Sequence, residues 1–143
     1  MTLSIWKAKL NAVKAKKNVL IITDGAERTS KMAGGIAIAL NGYKVVIKAA
    51  SDFKGNDILP AETFFLGCEK PKPESFAYVE DLLKHINLAG RSCGVFSPGS
   101  GKTLKYLTGL VKDCEASLYP DHLSADSEAK MNTWAQSVIS HSF

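Results

Sequence analysis

Two short stretches carry residue types able to hold an anion. The first, Asp24-Gly25-Ala26-Glu27-Arg28-Thr29, ends the apolar run Asn18-Val19-Leu20-Ile21-Ile22-Thr23 and opens a helical pattern. Such a turn offers main-chain N–H groups and the positive end of a helix dipole, joined here by Arg28 and the Thr29 hydroxyl. The second, Ser97-Pro98-Gly99-Ser100, ends another apolar run and leads into Gly101-Lys102-Thr103. Gly99-Ser100-Gly101-Lys102-Thr103 is similar to the end of a nucleotide phosphate loop. The full pattern needs a glycine five positions before Gly101, and Phe96 stands there, so nucleoside triphosphate binding is not expected. A third stretch, Gly67-Cys68, also closes a predicted strand. Its thiol becomes nucleophilic only if Lys70 or Lys72 lowers its pKa; a buried, inert cysteine is the simpler reading.

No catalytic set emerges beyond these. His85 falls late in a predicted helix, His141 in the tail, and Asp121-His122 in a solvated loop after the fifth predicted strand. Cys68, Cys93 and Cys114 lack metal-ligand spacing and read as buried thiols of a reducing compartment. No metal site is expected.

The elements that must position these turns follow from apolar periodicity. Strands are expected at 18–23, 44–49, 63–67, 92–97 and 115–119, the first reading as buried on both faces. Helices are expected at 29–40, 74–86, about 101–112 and 126–139. Residues 50–60 read as a polar loop with room for one helical turn. Phe53 in that loop reads as packed on the surface, bordering a pocket only if the loop folds over. Gly34 and Gly35 weaken the first helix by about 1 kcal/mol each and are expected to pack it closely on a strand. Strand–helix alternation repeated five times gives a three-layer α/β sandwich around a five-stranded parallel sheet, of expected order 2-1-3-4-5.

The 143 residues fit one domain, 18–143, preceded by a basic amphipathic extension, 1–17. In that extension Ile5, Trp6, Leu10 and Val13 share a helical face, with Lys7, Lys9, Lys14, Lys16 and Lys17 around them. The net charge of +4 is too mild and too scattered for a nucleic-acid binder. No apolar run approaches a membrane span and no signal peptide is evident, so a soluble, cytoplasmic protein is expected.

Taken together, the chain resembles the flavodoxin family across residues 18–139. The stretch Asp57-Ile58-Leu59-Pro60-Ala61-Glu62-Thr63-Phe64-Phe65-Leu66-Gly67-Cys68 is similar to that family's third strand. Asn87-Leu88-Ala89-Gly90-Arg91-Ser92-Cys93-Gly94-Val95-Phe96 is similar to the approach to its fourth, and Trp134-Ala135 sits where its last helix often carries an aromatic. The resemblance implies flavin mononucleotide (FMN), electron transfer and a redox partner protein. Asp24, Gly25, Ala26, Glu27, Arg28 and Thr29 would surround the phosphate. Gly67, Cys68, Ser97, Pro98, Gly99 and Ser100 would flank the isoalloxazine ring.

The phosphate turn departs from the family's hydroxyl-rich pattern, roughly Ser/Thr-x-Thr-Gly-x-Thr. Only Thr29 survives; Asp24 replaces the first hydroxyl and Glu27 the glycine. At ~5 Å and an effective dielectric of about 20, each carboxylate repels a phosphate charge by about 3 kcal/mol. The positive net charge also departs from the acidic surface usual in the family. Two readings follow: an FMN electron carrier, or a cofactor-free flavodoxin-like binding module that has lost the phosphate site.

Overall fold

The structure is a computed structural model and describes residues 18–124 and 129–141. The expected extension 1–17 and the expected first residues of the last helix, 126–128, lie outside the described residues. The elements run β1 (Asn18–Thr23), α1 (Glu27–Ala39), β2 (Lys44–Ala49), α2 (Gly55–Ile58) and β3 (Thr63–Gly67). A 3-10 turn (Glu74–Phe76) leads into α3 (Ala77–His85). Then come β4 (Ser92–Ser97), α4 (Gly101–Cys114), β5 (Ser117–Leu118), β6 (Leu123–Ser124) and α5 (Met131–Ser140). The sheet is parallel, in the order β2-β1-β3-β4-β5 expected from the sequence, with β6 also paired to β4.

β3 and β4 are buried along their whole length and β1 from Val19 onward, which is why these segments read as unbroken apolar runs. Successive side chains feed opposite layers. Leu20, Ile22, Phe64, Leu66, Cys93 and Val95 pack into the cluster built with α2, α3 and α4. Val19, Ile21, Phe65 and Phe96 pack into the cluster built with α1 and α5, where the Phe65 and Trp134 rings lie 5.4 Å apart.

Register places the site. Thr23 pairs with Gly67, and Gly67 pairs with Phe96. The residues that follow, Asp24, Cys68 and Ser97, therefore leave the carboxyl edge of the sheet side by side.

The structure corrects several local expectations. The fifth strand position holds two two-residue strands, not one strand over 115–119. Glu115 caps α4 in a left-handed conformation (φ 65°), so the helix reaches Cys114 and pairing starts only at Ser117. Tyr119 still donates its N–H to the Cys93 carbonyl at 2.8 Å; the chain then leaves the sheet through residues 120–122, where Pro120 has no N–H to donate, and returns at Leu123. The Trp134 indole holds this excursion by donating to the Asp121 carbonyl at 2.8 Å. Phe53 is a core residue, not a surface one: it is buried among the α2 and α3 residues, 5.9 Å from the Tyr78 ring. Of the two helix glycines, Gly35 packs against Met131 of α5 rather than a strand, and Gly34 has open space beside it.

Gly94 shows how closely α5 sits on the sheet. A Cβ there would lie 2.8 Å from Val138 Cγ2 and 3.0 Å from Trp134 Cζ2. Gly94→Ala should therefore cost about 1–3 kcal/mol by overpacking. Urea denaturation of the variant measures this, and an unchanged midpoint would contradict the packing described.

Candidate functional site at the carboxyl edge

The β1–α1 turn supplies partners for its own donors. Gly25 (φ 80°) donates its N–H to the Thr23 hydroxyl at 3.1 Å, and Ala26 donates to Asp24 Oδ1 at 3.1 Å. The second Asp24 oxygen, Oδ2, accepts the Glu69 N–H from the loop after β3 at 2.8 Å. Asp24 thus ties the β1–α1 turn to the loop after β3, with both of its oxygens engaged. Ala26, the N-cap of α1, contributes no side-chain cap, and Glu27 follows in the exposed first turn. α1 begins at Glu27, two residues before the expected start.

Arg28 points across the edge. It donates from Nη1 to Glu69 Oε1 at 3.1 Å and from Nη2 to the Pro98 carbonyl at 2.8 Å. The Arg28 side chain is 60% exposed, so the ion pair with Glu69 is worth about 1 kcal/mol or less. Its structural effect is to tie the turns after β1, β3 and β4 together.

Thr29 is fully buried on the inner face of α1, and its hydroxyl has no hydrogen-bond partner. A buried, unpaired hydroxyl costs about 1–3 kcal/mol. It is sealed from solvent and not presented at the turn.

The two loops expected to flank a ring are in direct contact. Ser97 donates its hydroxyl to the Cys68 carbonyl at 2.7 Å and accepts the Gly99 N–H at 2.9 Å. Thr103, in the first turn of α4, donates to the Glu69 carbonyl at 3.2 Å. Gly99 is packed so closely on that carbonyl that a Cβ would overlap the oxygen. Pro98 is buried, while Ser100 is the exposed N-cap of α4 and forms no side-chain cap. Gly67 lies under the Phe96 ring, again with no space for a Cβ. Residues 68–73 and 98–100 contain no aromatic.

Cys68 is fully buried. Burial first, and the Asp24 charge second, push its thiol from 9.0 up to about 12, so Lys70 and Lys72 do not activate it. Burial likewise raises Cys93 and Cys114. Among the described residues no group of His, Cys, Asp and Glu has the arrangement of a metal site.

Of the residues singled out in the sequence, Asp24, Arg28, Cys68, Ser97, Pro98 and Gly99 meet at one place. Gly25 shapes the turn there, whereas Glu27 and Ser100 face solvent and Thr29 faces the interior. Sequence reasoning missed Thr23, Glu69 and Thr103. Glu69 was the most accessible of these, being an acid one residue beyond the level of Asp24 and opposite in charge to Arg28.

The sequence matches no protein-family model and no curated protein. Solved structures match across most of the chain. Oxidised flavodoxin 2 of Bacillus cereus aligns at TM-score 0.75 and 18% identity, covering 85% of this chain and 97% of that one. Fusobacterium nucleatum flavodoxin bound to flavin mononucleotide aligns at TM-score 0.73 and 11% identity, covering 89% and 99%. A short-chain flavodoxin associated with a PDU bacterial microcompartment aligns at TM-score 0.75 and 15% identity, covering 86% and 96%. The chain has the flavodoxin-like fold. Among the described residues no helix is long and apolar enough to cross a membrane.

Two measurements test the edge. Asp24→Ala removes two charge-assisted hydrogen bonds and should cost about 2–4 kcal/mol in urea denaturation. A loss below about 0.5 kcal/mol would contradict a structural Asp24. Separately, the raised thiol pKa fixes a sign. Below pH 9 the Cys68 thiol is neutral both folded and unfolded, and its contribution is complete. Between pH 9 and about 12 only the unfolded chain ionises, so stability is lost by up to about 1.4 kcal/mol per pH unit from this group. Denaturation midpoints should fall less steeply over that range in Cys68→Ala. Equal slopes would mean that the thiol titrates freely.

Proposed function

We propose that the domain is a cofactor-free, flavodoxin-like binding module whose carboxyl edge is a fixed surface for a partner protein. The observation that carries it is that the Asp24 carboxylate, standing in the β1–α1 turn, already accepts Ala26 N–H and Glu69 N–H. An entering phosphate would have to displace that carboxylate and bring its own charge within a few ångströms of it, at a cost of about 3 kcal/mol or more.

The ring position supports the same reading. Contact between Glu69 and Gly99, and the Ser97–Cys68 bond, fasten together the bases of the two loops that would flank a flat ring. With a carboxylate in the turn, the residues of this edge do not fit the FMN phosphate in the arrangement they adopt, and no electron-transfer step is derived through it. What the edge offers is a preorganised surface of net positive charge, with exposed Arg28, Lys70, Lys72 and Lys102 beside Glu27. Such a surface suits the acidic face of a protein partner.

A second reading, the FMN electron carrier, is favoured by one observation: the fold aligns with a flavodoxin bound to FMN. It requires Arg28 to leave Pro98 and Glu69, and Asp24 to swing out of the turn.

The readings separate on three results. The purified protein should be colourless, and FMN fluorescence should show no saturable quenching at high micromolar flavin. Saturable quenching in that range would overturn the cofactor-free reading. Thr29→Val should raise stability by about 0.5–1.5 kcal/mol, because it removes a buried hydroxyl that has no partner. A flavin-dependent stabilisation of the natural chain that this variant abolishes would instead assign the hydroxyl to phosphate.

A further inference from the structure

β5 and β6 hold two residues each, and residues 120–122 between them leave β4. Pro120 has no N–H for the ladder, and the Trp134 indole fixes the excursion through the Asp121 carbonyl. A cavity of about 780 Å³ opens where this excursion faces the start of α4 and one side of α5. Clefts that enclose a whole small molecule have this size. Leu104, Tyr119, Leu123 and Trp134 give its walls aliphatic and aromatic surface. Trp134 has no donor to spare, because Asp121 takes its only N–H. Asp121 and Lys130, both exposed, put one charge of each sign at the rim. The two charges offset each other, so the cavity favours an uncharged ligand over an anion.

His122, half-buried in the same wall, adds the group that discriminates. Its Nε2 lies 3.5 Å from the Thr108 hydroxyl. That hydroxyl donates its one proton to the Leu104 carbonyl at 2.8 Å, so toward His122 it can only accept. Nε2 therefore carries the hydrogen of the neutral ring, and Nδ1 carries the lone pair. Nδ1 is buried and meets no hydrogen-bond partner among the described residues. A buried acceptor without a donor is a cost that a donor on a ligand would remove. We propose that this cavity binds an uncharged aromatic small molecule bearing an N–H or O–H group. Its ring would lie against Tyr119 and Trp134, with its donor directed at His122 Nδ1. The cavity shares no lining residue with the carboxyl edge, so this inference does not depend on whether FMN is bound.

Indole is the probe, and 1-methylindole, the same ring system without the N–H, is its control. When the full chain is titrated with indole, the amide resonances of Leu123, Thr133 and Ser137 should shift saturably with a common midpoint. Those of Ala26 and Glu69 at the carboxyl edge should stay in place. Indole should bind about fivefold tighter than 1-methylindole, the worth of one hydrogen bond, and His122→Phe should remove that preference. Ser137→Trp should block the cavity and abolish binding. The Ser137 hydroxyl bonds to the Thr133 carbonyl of its own helix, so no bond between elements is lost and the urea midpoint should hold. Thr133→Trp, at an exposed position of the same wall, is the blocking variant to use if Ser137→Trp does not fold. The proposal is overturned if indole produces no saturable shift, or if a folded blocking variant binds indole as the natural chain does. Equal affinity of the natural chain for the two compounds would overturn it as well.

Discussion

The carboxyl edge depends on one side chain, Asp24. A strand-to-helix turn in a parallel α/β sheet concentrates unpaired N–H groups and the positive end of a helix dipole at one point. Something negative must answer them. In this chain a carboxylate of the turn itself stands there: one Asp24 oxygen takes the N–H of Ala26 in its own turn and the other takes the N–H of Glu69. Satisfying the turn from within also fastens it to the loop after β3. That brings Glu69 into reach of Arg28, and Arg28 into reach of Pro98. The three turns of the edge are thus tied together by Asp24, Glu69 and Arg28.

The same carboxylate bears on the neighbouring chemistry. A carboxylate at the strand ends adds to burial in keeping the Cys68 thiol protonated, so the cysteine nearest the edge is inert. With the loops drawn together, glycine at 99 is required because the Glu69 carbonyl packs where a Cβ would be. The Thr29 hydroxyl has turned inward without a partner, a local cost that the α1 packing of Met32, Ala33 and Ile36 outweighs.

Much of the fold was legible in the sequence because burial on both faces leaves a plain trace. Val19 to Ile22, Phe64 to Leu66 and Cys93 to Phe96 are continuous apolar runs, and the helices between them keep their periodicity. The fifth strand position was misjudged because two residues are too few to set a pattern and because Glu115 adopts a left-handed cap that its residue type does not announce. Phe53 was misplaced because its burial depends on Tyr78 and the α2 turn, contacts distant in sequence. At the site, the presence of Asp24 and Glu27 was readable as a departure from the flavodoxin pattern. Their separate fates were not. Asp24 turns inward because Glu69 N–H stands level with it across the sheet, and Glu27 stays in solvent. That difference is a matter of register, which pairs Thr23 with Gly67.

The central claim is that the Asp24 carboxylate is the acceptor for the Ala26 and Glu69 N–H groups at the β1–α1 turn. Its most direct test is a titration with inorganic phosphate followed by the backbone amide resonances of Ala26 and Glu69. Both amides should stay in place through millimolar phosphate, because their acceptor is already bound. A saturable shift of the two resonances together, with a common midpoint, would show phosphate displacing Asp24 and would contradict the account.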